Sequence, residues 1–301
     1  MLNKNGLILL LCISINFLSI NSNGLLQEQS DLSDDQVRLK KILKETAAYC
    51  DRIKNLALYY ICKEKITTKE NIFSRTTSAT GLLREERHFQ IRKIERQDYV
   101  YDYQLVKKSG KLAEKRILLE ENGKKRNIKN AELKNIKYVS KYLVFGPVGF
   151  LSYYWQNFFN YEITGDDYVK GEKAIIISAR PIKAMDENYN IGKIWVNADN
   201  YQILRIEWEP ASIKDYVEEE ITTYLGEFKQ KVVWIVDYNV EKNGVRFPGQ
   251  QYIQELFFNE NHGYKAVKRE ISFRYDEYKF FIVETEVSDL KIKKSNNQLK
   301  N

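Results

Sequence analysis

The feature that most constrains this chain is its second half, where strand-forming segments succeed one another with no helical break. KAIIISAR (173–180), IGKIWVN (191–197), YQILRIEWE (201–209) and YVEEEITTYLG (216–226) lead into four more segments at 231–241, 245–257, 264–275 and 279–288. β-Branched and aromatic residues dominate them, and turn residues separate them at Ala198-Asp199-Asn200, Asn243-Gly244 and Asn259 to Gly263. Earlier strands are expected at 56–67, 82–97 and 99–108. A Ser109-Gly110 turn returns the chain through 111–120, which closes at Glu121-Asn122-Gly123. Residues 124–141 are charged without clear periodicity and read as a loop with some helix. The total is about ten or eleven strands in sequential hairpins. A sheet of that width must curl or close.

Two helices stand out against this background. Val37, Leu39, Ile42, Leu43, Ala47 and Ala48, then Ile53, Leu56 and Ala57, recur at helical spacing behind Asp34 or Asp35, either of which can cap. Residues 34–56 therefore read as one amphipathic helix. The second lies in YLVFGPVGFLSYYWQNFFNYEIT (142–164), the most apolar stretch beyond the N-terminal region. Gly146-Pro147 is a natural start, because proline at the first helical position sacrifices no hydrogen bond. Residues 147–158 then form a helix that is apolar nearly all round, and such a helix must be buried or face an apolar ligand. Apolar residues also exceed strict alternation in Ala174–Ile177 and Val232–Val236, so those strands are expected to be covered on both faces. No repeat and no Pro-, Gly- or Ser-rich linker interrupts 34–290. That span reads as a single mainly-β (α+β) domain, with a flexible lead-in at 25–33 and a disordered polar tail at 291–301.

The N-terminus addresses compartment. Lys4 precedes an apolar run from Gly6 to about Ile20, and Ser22-Asn23-Gly24 supplies the small residues of a cleavage site before Leu25. This is the pattern of a secretory signal peptide over residues 1–24. The rival, a membrane anchor, wants ~20 apolar residues. A lipid anchor on Cys12 is disfavoured because Leu11 stands where a small residue is needed. The chain is thus expected to be periplasmic or otherwise exported, and soluble after cleavage.

Export shapes the reading of charge and sulfur. Losing residues 1–24 removes Lys4 and no acidic residue, so the formal charge falls only from +7 to +6. The densest basic stretch, Lys107 to Lys141, also holds Glu114, Glu120, Glu121 and Glu132 and reads as a solvated face. Nucleic acid is not a partner for such a protein; anionic lipid headgroups are the alternative for a basic surface. Cys50 and Cys62 remain, and in an oxidising compartment an isolated pair reads most simply as a disulfide, the alternative being two buried thiols.

Enzymatic signatures are missing from the text. There is no G-x-S-x-G, H-E-x-x-H, phosphate loop or Cys-x-x-Cys. The two histidines, His88 and His262, lie far apart, without acidic neighbours at ligand spacing. No metal or cofactor is expected, and the chain reads as a non-enzyme. The sharpest feature is aromatic: Phe145, Phe150, Tyr153, Tyr154, Trp155, Phe158 and Phe159. These are either core or the wall of an apolar pocket, where Tyr and Trp tips suit a mouth. Phe150, Tyr154 and Phe158 share one helical stripe, and Leu151 and Trp155 share its neighbour. The candidate ligand-binding set is Phe145, Phe150, Leu151, Tyr154, Trp155 and Phe158.

The hairpin GKIWVNADNYQILRIEWE (192–209) resembles one in the LolA-like superfamily of envelope proteins, with an aromatic-centred strand, an Asp/Asn turn and a strand reading I-L-R-I-E. GEKAIIISARP (171–181) and KNGVRFPGQQYIQE (242–255) resemble the strands flanking it in outer-membrane lipoprotein-sorting-type proteins. The similarity covers 171–257, and elsewhere only the order of elements. The resemblance implies an open, strongly curved antiparallel half-barrel with helices on its concave side over an apolar cavity. It also implies a monomer that binds or carries lipid or lipoprotein acyl chains. The alternative is an interaction or sensor module whose curved sheet binds an envelope protein partner. An integral outer-membrane barrel is disfavoured, because 216–224 places charge on one face and mixed residues on the other.

Overall fold

The computed structural model describes residues 33–56, 59–75, 89–108, 111–133, 136, 143, 151–182, 192–209, 220–223, 226–259 and 264–281. The expected signal peptide (1–24), lead-in (25–33, except Ser33) and tail (291–301) lie outside them. The chain divides into two compact units, Met1–Arg38 and Leu39–Asn301. Helix α1 (Asp34–Leu56) begins in the first. Its cap is Ser33 rather than Asp34 or Asp35: Ser33 Oγ accepts from the Gln36 N–H, and Gln36 Oε1 accepts from the Ser33 N–H. This reciprocal pair satisfies two donors that helix geometry leaves over. Asp34 and Asp35 instead occupy the first turn, where their charge opposes the helix dipole.

The second unit is built on a twelve-stranded antiparallel sheet. Its strands are β1 (Tyr60–Arg75), β2 (Phe89–Lys108), β3 (Lys111–Glu121), β4 (Lys124–Lys129), β5 (Phe159–Val169), β6 (Glu172–Pro181), β7 (Gly192–Asn197), β8 (Ile203–Trp208), β9 (Glu220–Thr223), β10 (Gly226–Asp237), β13 (Gln250–Asn259) and β14 (Tyr264–Phe280). β11 (Val240–Lys242) and β12 (Val245–Phe247) form a separate hairpin. The order across the sheet is β4-β3-β2-β1-β14-β13-β10-β8-β7-β6-β5, with β9 on β10. First and last strands therefore pair in mid-sheet, and the two edges, β4 and β5, are consecutive in sequence. The sheet is an open, curved one, as expected of a half-barrel, and it is slightly wider than expected.

Local chemistry explains the tight hairpins. Asn122-Gly123, Lys170-Gly171 and Asn243-Gly244 all hold positive φ at both positions, the backbone that matches strand twist in a two-residue turn. Residues 124–129, expected as loop with some helix, form β4 against β3. All six are exposed, so no face of the strand carries a buried periodicity.

One face of the sheet holds the core. Tyr60, Cys62 and Ile66 of β1, Tyr99, Tyr101, Tyr103 and Leu105 of β2, Ile271, Phe273 and Tyr275 of β14, and Val232, Trp234 and Val236 of β10 join Ile177, Ile194 and Ile206 in one cluster. The period of two along each strand sets this side. Ile42, Tyr49, Cys50 and Ile53 of α1 belong to the same cluster, spaced to lie on one helical stripe. A smaller cluster of Val169, Ala174, Trp195 and Leu204 gives β6–β8 apolar contacts on the opposite side.

The link between the two edges also belongs to this inner face. Ala131, Leu133, Ile136, Leu143, Leu151, Trp155, Phe158 and Phe159, all from between β4 and the start of β5, pack into the main core.

Candidate ligand-binding face

Two features build the candidate site: the edge-to-edge link, and the aromatic inner face it adjoins. The described part of the link contains a single helical turn, α2 (Tyr153–Gln156), where a helix over 147–158 was expected. The Gln156 side chain fixes this turn by donating to the carbonyls of Leu43 and Leu151, each at 2.7 Å. Tyr153 Oη reaches the Lys44 carbonyl at 3.4 Å. The turn is therefore fastened to α1 by polar contacts, with apolar side chains directed at the core.

Of the six expected ligand-binding residues, Phe145 and Phe150 lie outside the described residues. Leu151 is fully buried, and Trp155 and Phe158 are half-buried against the core. Tyr154 does not point into the sheet with Phe158 as a continuous stripe would require: it is 65% exposed. The physical reason is that α2 ends after one turn, so the Leu151–Trp155 side meets the core and Tyr154 turns outward. The three rings nonetheless touch. Centroids are 5.2 Å apart for Tyr154–Trp155, 5.3 Å for Tyr154–Phe158 and 5.6 Å for Trp155–Phe158. They make a continuous aromatic path from solvent to core.

The inner face carries polar atoms that the sequence reading missed. Glu64 of β1 is fully buried, and Arg116 of β3 meets it with Nε–Oε2 at 2.6 Å and Nη2–Oε1 at 3.2 Å. The Arg116 guanidinium lies 4.7 Å from the Tyr103 ring, and Tyr103 Oη donates to Glu114 at 2.5 Å. Burial alone would weaken the Arg116 proton affinity; the charge and hydrogen bonds of Glu64 more than offset this, and the guanidinium is raised. Burial pushes the Tyr101 phenol up to about 12 and holds those of Tyr103, Tyr238, Tyr275 and Tyr278 well above the ordinary phenol range. These groups are neutral donors and acceptors at any physiological pH.

A second polar knot ties α1 to the β11–β12 hairpin. Arg246 grips Glu172 through both terminal nitrogens at 3.0 and 2.8 Å and donates from Nε to Gln202 at 2.7 Å, while its backbone N–H donates to Tyr49 Oη at 3.0 Å.

The expected disulfide is not formed: Cys50 and Cys62 are buried thiols, not bonded to each other. Cys50 lies on α1 near Tyr161 and Tyr238, whereas Cys62 lies on β1 near Glu64 and Tyr278. Burial holds both thiols far above their ordinary range. Among the described residues no group of three or more His, Cys, Asp and Glu is arranged to hold a metal, and no helix is long and apolar enough to cross a membrane.

No known family model matches the sequence, and no curated protein matches it. Solved structures similar to the chain include a DUF1329 family protein from Desulfovibrio piger, at 9% identity and a TM-score of 0.36, covering 81% of this chain and 93% of that one. A putative outer membrane lipoprotein-sorting protein domain from Vibrio parahaemolyticus is 11% identical, with a TM-score of 0.37 and coverage of 82% and 95%. A LolA superfamily protein from Nitrosomonas europaea is 10% identical, with a TM-score of 0.33 and coverage of 81% and 94%.

Proposed function

We propose that this is an exported, non-enzymatic envelope protein that binds the acyl chain of a lipid or lipoprotein on its inner sheet face. The observation that carries this reading is the path Tyr154–Trp155–Phe158. It starts at a solvent-exposed ring and ends on the aromatic core, at the segment that joins the two sheet edges. An acyl chain entering there exchanges water for ring faces and gains ~0.8 kcal/mol per buried methylene. The signal-peptide pattern of residues 1–24 supports delivery to a compartment where such chains need an aqueous escort.

A fluorescent fatty-acyl probe titrated into purified protein tests the proposal. Saturable binding is expected, weakened by Trp155→Asp and by Tyr154→Ser while the far-ultraviolet circular dichroism stays unchanged. Absence of saturable binding at probe concentrations below its micelle threshold would refute it and favour the interaction-module reading, in which the sheet binds an envelope protein.

A further inference from the structure

The far end of the β1–β2 hairpin loses its pairing with neighbouring strands, although β14 runs on past Arg269 to Tyr264 and Asn71 Nδ2 still donates to the Val267 carbonyl at 2.9 Å. β1 keeps its pairing with β14 only as far as Glu70↔Arg269, and β2 keeps its pairing with β3 only from Tyr99↔Glu121 onward. β1 and β2 stay paired well past both limits, through Asn71↔Ile94, Ile72↔Lys93, Phe73↔Ile91 and on to Arg75↔Phe89. Residues 71–75 and the facing part of β2 therefore form a two-stranded ribbon with no third strand paired to it among the described residues. It extends by roughly 16 Å, taking 3.3 Å per residue.

An isolated ribbon of this kind is ordinarily polar, because neither of its faces has a core to pack on. This one exposes three isoleucines: Ile94 at 60%, Ile91 at 52% and Ile72 at 38%. The register divides them between faces. Ile94 and Ile91 stand opposite Asn71 and Phe73 on one face, and Ile72 stands opposite Lys93 on the other. Residues 71–75 and 89–97 also contain Arg75, Arg92, Lys93 and Arg96 against the single acidic Glu95. Arg92, Lys93 and Arg96 are all exposed. Lys93 meets Glu95 at 2.6 Å and Arg96 meets Asp98 at 2.9 Å, both in water, where such pairs are weak enough to exchange for another anion.

We infer that this ribbon docks the protein on an anionic phospholipid surface, with Ile72, Ile91 and Ile94 entering the headgroup–acyl boundary and Arg92 and Lys93, together with Arg96 at the ribbon's base, meeting lipid phosphates. The two-faced distribution selects a membrane over a protein partner. A partner docking on one face leaves the isoleucines of the other in water, and a strand adding at an edge covers neither set. A lipid interface surrounds a hairpin and covers both. Basic side chains beside the apolar ones then add attraction that depends on anionic lipid and falls with salt. The inference is independent of what the inner face holds.

Co-sedimentation of the purified protein with vesicles of phosphatidylglycerol and phosphatidylethanolamine tests it. The protein is expected to pellet with these vesicles at least ten-fold more strongly than with phosphatidylcholine vesicles. The triple substitution Ile72→Ser, Ile91→Ser, Ile94→Ser should lower the partition at least ten-fold, and Arg92→Gln, Lys93→Gln, Arg96→Gln should abolish the preference for anionic lipid. In a separate variant, Ile91→Trp, tryptophan emission should shift to the blue on adding anionic vesicles and stay put with phosphatidylcholine. Three outcomes overturn the inference: no vesicle binding by the unaltered protein, equal binding by the serine variant with its circular dichroism retained, or an emission from the Ile91→Trp variant that anionic vesicles leave unshifted. A dimer of the unaltered protein that the serine variant converts to monomer, seen by sedimentation, also overturns it and assigns the ribbon to a second copy of this chain.

Discussion

Arg116→Met should destabilise this protein more than most surface-strand substitutions, because of what it leaves behind. Glu64 is fully buried, and both of its carboxylate oxygens are held by the Arg116 guanidinium at 2.6 and 3.2 Å. Methionine keeps the apolar stem of the arginine and removes only the charge, which strands a carboxylate in an aromatic surrounding. Breaking a buried pair from one side costs about 3–5 kcal/mol, a large share of the ~5–15 kcal/mol that holds a domain together. Loss of the guanidinium from over the Tyr103 ring contributes within that figure. The double variant Glu64→Met, Arg116→Met should lie within about 1–2 kcal/mol of the unaltered protein or exceed it, since no charge is left unsatisfied. Urea unfolding at pH 7 of the four members of this cycle measures the coupling. A deficit under about 1 kcal/mol at pH 7, or single-variant losses that simply add, would refute the buried-pair account.

The remaining expectations test other parts of the structure. Cys50 and Cys62 should resist an alkylating reagent in the native protein, and both should react once it is unfolded without reductant; two thiols that stay unreactive after unfolding would mean a bond the structure does not have. Gly192→Ala should lower stability by at least 1–3 kcal/mol in thermal unfolding. A Cβ at this position would stand 1.8 Å from the Glu207 carbonyl oxygen across β7–β8, so an unchanged melting temperature would contradict the close approach. Tyr101→Phe and Tyr238→Phe should each raise stability by about 1 kcal/mol, since their buried hydroxyls have no hydrogen-bond partner among the described residues, whereas Tyr103→Phe should lower it by a similar amount through loss of the bond to Glu114. The three substitutions carry the same change in shape, so equal effects in urea unfolding would refute the assignment of partners.

What could be read from the sequence follows the range of the interaction responsible. Helix α1 and the Asn122-Gly123 and Asn243-Gly244 hairpins rest on contacts within a few residues, and their patterns are written contiguously. The strand β4 leaves no such trace, because a fully exposed edge strand has no buried face to impose alternation. The stretch 147–158 misled in an instructive way. An all-round apolar composition marks a segment that packs on core, and the described part of it, 151–158, meets that condition with one helical turn, Tyr153–Gln156. Leu151, Trp155 and Phe158, expected as ligand-binding residues, pack against the core, and the outward turn of Tyr154 depends on where α2 stops. The Glu64–Arg116 pair joins strands through a contact 52 residues apart, and the Cys50–Cys62 spacing says nothing of direction, since one side chain leaves a helix and the other a strand. Residues 99–108 were legible as a strand; that Tyr99, Tyr101 and Tyr103 would form a buried face, and that their phenols would differ in partners, was not.

Those differences bear on how the inner face could accept a ligand. A face meant only to pack would use leucine and isoleucine, whose burial leaves no polar group to satisfy. Here Tyr49, Tyr103 and Tyr278 satisfy their hydroxyls at Arg246, Glu114 and Pro248, while those of Tyr101 and Tyr238 have no partner among the described residues and cost about 1–3 kcal/mol each in desolvation. The packing that leaves them so is the state against which a ligand competes. An amphiphile that moves side chains aside to bury about ten methylenes gains about 8 kcal/mol from the chain, and a polar group or water admitted with it relieves the unmatched phenols as well. Rings that have already lost hydration without compensation are easier to displace than a fully satisfied core. The link holding α2 to α1 through the Gln156 side chain is then the place where such displacement would begin, since it is fastened by side-chain bonds to carbonyls and not by strand pairing. Under the proposed function, the same tyrosines set both the stability of the ligand-free protein and its affinity for acyl chains, and substitutions that raise the first through Tyr101 or Tyr238 should lower the second.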